Sequence, residues 1–149
     1  MRRRYGKSAA AIVTALATFV TTFAVGIESA SAAVLPPECP GVIGDYNVIE
    51  AVANSQNLLG TAGDDLIVTL NGTNTVTGGG GDDCVVGGSG ADTVTTLGGN
   101  DVIKTAGGVD TVNAGDGANR VITAGGNDSI TTVTGAAVSD AGDDANTNN

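Results

Sequence analysis

The chain contains no histidine and no tryptophan, and only six of its 149 residues are basic. Without histidine, it lacks the usual general base and the usual zinc ligand of enzymes. It also lacks a Gly-x-Ser-x-Gly nucleophile elbow and a Gly-x-x-x-x-Gly-Lys-Ser/Thr phosphate-binding loop. These absences predict a protein that is not an enzyme.

Aromatic residues make up only 3% of the chain, and all but Tyr46 lie within the N-terminal segment 1–32. A bulky globular core cannot be built from this one aromatic side chain. The other apolar residues are mostly valine, isoleucine, alanine and leucine, which suit the thin stacked layers of a solenoid. We expect one domain.

The N-terminal segment 1–32 predicts a secretory signal peptide. Basic residues occupy positions 2–4 and 7, a short apolar run follows over 9–25, and the small residues 30–32 form a cleavage site. Threonines interrupt the run, which is also shorter than the roughly 20 apolar residues of a membrane span. We therefore expect a secreted, extracellular protein with no membrane insertion after signal removal.

Removal of this segment leaves two basic and fifteen acidic residues, a net charge of −13. Such a surface repels nucleic acid and anionic lipid and favours the binding of cations. Many of the acidic residues recur at the same repeat positions, which is more order than solubility alone requires.

Residues 60–131 consist of a nine-residue unit repeated eight times without insertion. The fourth position is always glycine. The sixth position is always Asp or Asn, and the eighth is always valine or isoleucine, namely Ile67, Val76, Val85, Val94, Ile103, Val112, Val121 and Ile130. Turn residues thus alternate with three-residue strands, so that two units make one rectangular coil with the eighth position facing inward. The prediction is an all-β parallel β-solenoid of about four 18-residue coils.

The repeat resembles the Gly-Gly-x-Gly-x-Asp-x-U-x nonapeptide of RTX, or hemolysin-type, calcium-binding proteins, where U is a large apolar residue. Residues 78–86 and 87–95 match every defined position, whereas each of the other repeats carries threonine, alanine or leucine at one or both of the first two positions. The resemblance implies a parallel β-roll that holds Ca²⁺ in the turns between coils.

Sixth-position residues eighteen apart are expected to become neighbours on the same edge of the roll. Carboxylates stacked in this way repel each other, and calcium, which takes six to eight oxygen ligands, would offset that repulsion. Adjacent pairs allow at most six sites. The alternative is that these side chains only hydrogen-bond their own turns. The expected metal ligands are Asp65, Asp83, Asp101 and Asn119 on one edge, and Asn74, Asp92, Asp110 and Asp128 on the other.

The seventh and ninth positions should face outward and give the two sheets different outer faces. The even-numbered repeats carry a hydroxyl-rich array that resembles the Thr-x-Thr faces of solenoidal ice-binding proteins, although threonine also simply suits an exposed strand. An ice or polysaccharide surface is therefore an alternative ligand. The array consists of Thr75, Thr77, Thr93, Thr95, Thr111, Asn113, Ser129 and Thr131.

The odd-numbered repeats expose apolar residues such as Leu66 and Val86, which require a cover. We expect the non-repetitive segment 33–59 to supply it. In an exported chain with two cysteines, Cys39 and Cys84 are expected to form a disulfide that pins this cover to the sheet. Two free thiols or a bond between chains are the alternatives.

The repeat pattern decays after residue 131, and residues 132–149 predict a degenerate last coil followed by a disordered acidic tail. The chain is thus interpreted as a secreted, non-enzymatic β-roll that needs Ca²⁺ to fold. A surface-binding solenoid and a calcium-independent structural solenoid are the alternatives, and any macromolecular partner stays undetermined.

Overall fold

The computed structural model describes residues 35–133, together with the backbone of residues 138–140 and 147–148. One 3-10 helix, Ile43–Asp45, precedes twelve short strands. The strands are β1 (Asn47–Glu50), β2 (Asn57–Leu59), β3 (Asp65–Val68), β4 (Thr75–Thr77), β5 (Cys84–Val86), β6 (Thr93–Thr95), β7 (Val102–Lys104), β8 (Thr111–Asn113), β9 (Arg120–Ile122), β10 (Ser129–Thr131), β11 (Val138–Asp140) and β12 (Thr147–Asn148).

The strands form two parallel sheets of six strands each, one from the odd-numbered and one from the even-numbered strands. Each strand pairs with the strand eighteen residues along the chain, as in Ile67 with Val85 and Val76 with Val94. The predicted all-β parallel β-roll is confirmed, and it has about five turns.

The core consists of two facing rows of side chains, one from each sheet, and we call them together the core column. All eight eighth-position residues are buried in it, with exposed fractions between 0 and 2%. Removing this apolar surface from water drives the stacking, since each buried valine or isoleucine contributes roughly 1.5–3 kcal/mol.

Glycine at the fourth position allows the coils to approach each other in the turns. Gly99 has a φ of +138°, and a Cβ atom there would lie 2.0 Å from the carbonyl oxygen of Gly81 in the preceding coil. The backbone is left-handed at seven of the eight fourth positions, with Gly63 as the exception. A side chain at Gly99 would therefore push two coils apart, whereas Gly63 has open space where a Cβ would stand.

The roll begins one coil earlier than the glycine pattern. Asn47 aligns with Asp65, and Leu58 aligns with Val76, so β1 and β2 form a coil of their own. Ile49 and Leu58 pack with the core column instead of lying over the outer face. Only the first part of segment 33–59 therefore acts as the predicted cover.

The cover consists of residues 35–46 and lies on the outer face of the odd-numbered strands. Leu35, Ile43 and Tyr46 pack against a group that includes Leu66, Cys84 and Val102. The disulfide Cys39–Cys84 joins the two layers across a Cα–Cα distance of 5.6 Å. A salt bridge between Glu38 and Lys104 adds a second link. We call this surface the covered face.

The predicted signal peptide, residues 1–32, lies outside the described residues, and so do residues 134–137, 141–146 and 149 of the predicted tail. The backbone of β11 and β12 continues the 18-residue register. In the part of the chain that the structure describes, no helix is long and apolar enough to cross a membrane.

Candidate metal-binding turns

The sixth-position residues form two columns, one in each row of turns. Pairing eighteen residues apart brings Asp65 next to Asp83 and Asp92 next to Asp110, because both sheets are in register. All eight side chains are almost fully buried, with exposed fractions of 0–2%. Neighbouring members of each column therefore lie in successive turns of the same edge.

One oxygen of each side chain is used by the neighbouring coil. The backbone amide of Asp65 donates to Oδ1 of Asp83 over 3.0 Å, and the amide of Asp83 donates to Oδ1 of Asp101 over 2.9 Å. The other edge repeats this pattern, for example from the amide of Asp92 to Oδ1 of Asp110 over 2.8 Å. These bonds satisfy backbone donors that would otherwise be buried without a partner.

Among the described residues, four aspartates have a buried second carboxylate oxygen without a hydrogen-bond partner. These atoms are Oδ2 of Asp83, Asp92, Asp101 and Asp110. A buried charged oxygen without a partner is costly, so each of these atoms requires a cation, a proton or a nearby hydroxyl group.

Burial raises the pKa of all four carboxyl groups, and that of Asp83 rises to about 7. The negative charges of Asp101, Asp65 and Asp64 add to the effect of burial at Asp83. Hydrogen bonds to the neighbouring amides act in the opposite direction but are the weaker influence. A divalent cation at these turns would favour the ionised form.

The donor atoms of the turns fit calcium better than they fit a softer metal. Among residues 35–133, no group of three or more His, Cys, Asp or Glu side chains converges on one point. A complete ligand set would therefore need backbone carbonyls beside the carboxylates, which is the all-oxygen chemistry of Ca²⁺. Turn carbonyls such as that of Gly98 accept one amide hydrogen bond and keep a second lone pair.

The sixth-position residues of repeats one, two and seven have internal partners. Oδ2 of Asp65 accepts the amide of Thr61 at 2.6 Å. The side-chain amide of Asn74 donates to the carbonyls of Leu70 and Gly72, and that of Asn119 donates to Ala114 and Gly115. These three turns show the local hydrogen bonding that the sequence left as the alternative to metal binding.

A second column of polar side chains follows the outside of one edge at the fifth position. Oδ1 of Asp64 accepts the amide of Asp82 at 2.8 Å, and Oδ1 of Asp82 accepts the amide of Asn100 at 2.7 Å. This column was not predicted from the sequence. The sequence pattern that could have predicted it is an Asp or Asn at residues 64, 82 and 100. This pattern appears only when every second repeat is compared.

The hydroxyl-rich array lies on the outer face of the even-numbered strands. Thr75 aligns with Thr93 and Thr77 with Thr95, so each position forms a straight column across the sheet. Most of these side chains are exposed, and Thr77 and Thr95 are half-buried. Between residues 57 and 131 the outward positions of this sheet carry no charged side chain, and we call this surface the bare face.

The repeats match a family model described as the RTX calcium-binding nonapeptide repeat (4 copies). The match occurs twice, over residues 59–94 and 95–130. Neither a curated protein nor a solved structure matches the chain significantly. With this match and the parallel solenoid together, residues 59–130 are RTX calcium-binding nonapeptide repeats that fold as a β-roll.

Proposed function

We propose that this protein is a secreted, non-enzymatic calcium-binding module whose β-roll needs Ca²⁺ to fold fully. The observation that carries the proposal is that the Oδ2 atoms of Asp83 and Asp92 are buried and have no hydrogen-bond partner. A slender apolar core must hold these charges inside the turns, and calcium would remove the electrostatic cost.

The sixth-position side chains would hold the ions together with carbonyls of the glycine-rich turns. The carboxylates supply negative charge, and the side chains of Asn74 and Asn119 supply only a neutral oxygen. When bound, Ca²⁺ would act as a structural cross-link between coils. The protein's own hydrogen bonds between amides and Oδ1 atoms already fix the orientation of each carboxylate.

Secretion is supported by the predicted signal peptide and by the Cys39–Cys84 disulfide. Disulfides persist in oxidising compartments and are rare in the cytosol. Calcium is also more abundant outside cells, where modules with modest affinity use it.

The test is circular dichroism of the protein that lacks segment 1–32, titrated with Ca²⁺ and then with a chelator. We expect β structure to increase with Ca²⁺, and this increase to be reversed in chelator. Mg²⁺ serves as the control, because its small octahedral shell keeps water and fits these turns poorly. An unchanged β spectrum in chelator would favour the calcium-independent solenoid.

The pH dependence of the metal-free protein provides a second test. Because the folded-state pKa of Asp83 is raised to about 7, its contribution to stability is full below the ordinary pKa of aspartate and is lost as the pH rises towards 7. Metal-free protein should therefore unfold more easily in weak base than in weak acid. Calcium should remove this difference, as measured by urea unfolding at both pH values.

A second candidate function is binding of an uncharged, regular surface, such as ice or a crystalline polysaccharide, by the bare face. The observation that favours it is the absence of charge on this one flat array in a strongly acidic protein. Tyrosine at Thr93 and Thr95 should abolish adsorption to ice or to insoluble cellulose while leaving calcium binding unchanged. Equal adsorption by the substituted and the unmodified protein would exclude this role.

A further inference from the structure

The turns differ in what surrounds the second carboxylate oxygen. In repeats three and four the first residue is Gly78 or Gly87. A Cβ atom at Gly78 would lie 2.3 Å from Oδ2 of Asp83, and one at Gly87 would lie 3.2 Å from Oδ2 of Asp92. The carboxylate oxygen thus faces a bare glycine backbone, and no side chain offers it a hydrogen bond.

In repeats five and six a threonine stands at the same first position. Thr96 and Thr105 are buried, and their hydroxyl groups have no hydrogen bond of good geometry. The first position of a turn lies beside the carboxylate at its sixth position, as the 2.3 Å between a Cβ at Gly78 and Oδ2 of Asp83 shows, so these hydroxyls are placed close to the carboxylates of Asp101 and Asp110. A buried hydroxyl and a buried carboxylate oxygen that both lack other partners can satisfy each other.

Repeats one, two and seven do not need such a hydroxyl at the first position. Their sixth-position side chains already have internal donors or acceptors, as in the bond from the Asn74 side chain to Leu70 at 2.9 Å. Within residues 35–133, only Asp83 and Asp92 therefore combine a buried, unpartnered oxygen with a turn that has no hydroxyl at its first position.

We propose that the calcium requirement is concentrated in the turns of repeats three and four, at Asp83 and Asp92, and that Thr96 and Thr105 replace the ion in repeats five and six. This inference rests on the proposed calcium-binding function and specifies which turns carry it. Threonine at the first position acts as a positioning residue that gives the carboxylate a neutral partner from the chain itself.

Space as well as charge separates the two kinds of turn. The methyl group of Thr96 packs next to Gly78 of the preceding coil, 2.9 Å from where a Cβ of Gly78 would stand. A threonine at position 78 would collide with both this methyl group and the Asp83 carboxylate. The glycines of repeats three and four therefore keep open a volume that the threonines of the later repeats fill.

The experiment counts tightly bound Ca²⁺ per chain by isothermal titration calorimetry on the protein that lacks segment 1–32. We expect two tight ions. Asp83→Asn and Asp92→Asn should each remove one, whereas Asp101→Asn and Asp110→Asn should remove none. Asparagine preserves the fold because the chain already uses it at the same position in Asn74 and Asn119. Asp82→Asn, which removes an exposed charge beside Asp83, is the matched control and should leave two tightly bound Ca²⁺ ions.

Thr96→Gly tests the replacement directly, because it converts repeat five to the glycine-first turn of repeats three and four. It should create a third tight site, and Thr96→Ser, which keeps the hydroxyl, should not. Thr96→Val, which keeps the shape but lacks the hydroxyl, should lower the unfolding midpoint in chelator without changing the ion count.

The outcomes separate this inference from the proposed function. If the unmodified protein binds no calcium, the proposed function fails and the inference fails with it. If it binds calcium but Asp101→Asn lowers the number of bound Ca²⁺ ions as much as Asp83→Asn does, the inference alone is wrong. The Asp→Asn comparison decides the question even where Thr96→Gly does not fold.

Discussion

The covered face and the bare face share one backbone but differ in what lies on them. Both are parallel sheets with the same 18-residue register, and both turn the eighth position inward. They differ at the seventh and ninth positions, where the covered face carries Leu66, Cys84 and Val86 and the bare face carries mostly threonine. The outward residues, rather than the solenoid itself, therefore decide which sheet requires a second layer.

This difference shows how the chain distributes its stability. The core column is common to both sheets, so the β-roll should stay folded when the cover is lost. The cover, in contrast, lies outside this column and is joined to the sheet by apolar contacts, a disulfide and an ion pair. We expect substitutions at the covered face to lower the free energy of unfolding strongly, and substitutions at the bare face to change it little.

The largest expected effect comes from removing the disulfide. Cys39→Ser with Cys84→Ser opens a loop of 45 residues and should lower the free energy of unfolding by about 4 kcal/mol on the chain-entropy account. The cover should then exchange its amide hydrogens faster, and the exposed apolar face should bind a hydrophobic dye. Urea unfolding and hydrogen exchange measure these changes. Unaltered exchange over residues 35–46 would mean that the cover holds without its covalent link.

A matched pair of alanine substitutions compares the two faces directly. Leu66 and Thr93 both stand at the seventh position of their repeats, one under the cover and one in water. Leu66→Ala should cost about 3 kcal/mol because it leaves a cavity beneath the cover. Thr93→Ala should change stability by less than about 0.5 kcal/mol, as exposed substitutions usually do. Similar losses in urea unfolding would refute the contrast between the faces.

The period of nine residues predicted most of the fold, because it assigns a place to every side chain. Val85 and Ile103 lie in the core where the period puts them, and Asp83 and Asp101 lie in adjacent turns. The first coil was missed because it lacks the fourth-position glycine. Its apolar column nevertheless continues the period through Ile49 and Leu58, so the core position alone would have revealed it.

The partners of the sixth-position oxygens could not be predicted from the period. Whether Oδ1 of Asp83 bonds its own turn or the amide of Asp65 depends on the separation of the coils, because a hydrogen bond tolerates only a narrow range of distances. The same holds for Thr96 and Thr105, which looked like defects in the repeat. Their burial, which the repeat pattern did not predict, shows that their side chains lie inside the turns.

The smallest expected effect concerns the ion pair at the margin of the cover. The hydrogen bond from Lys104 lowers the pKa of Glu38, so its contribution to stability is present above the ordinary pKa of glutamate and is lost as the pH falls through the lowered value. Glu38→Gln should cost less than about 1 kcal/mol near neutral pH, because such pairs are partly screened by solvent. The difference from the unmodified protein should vanish in acid and shrink in high salt. Glu50→Gln, on an exposed glutamate of β1, is the matched control, and an equal loss there would show that general charge rather than the pair with Lys104 is responsible.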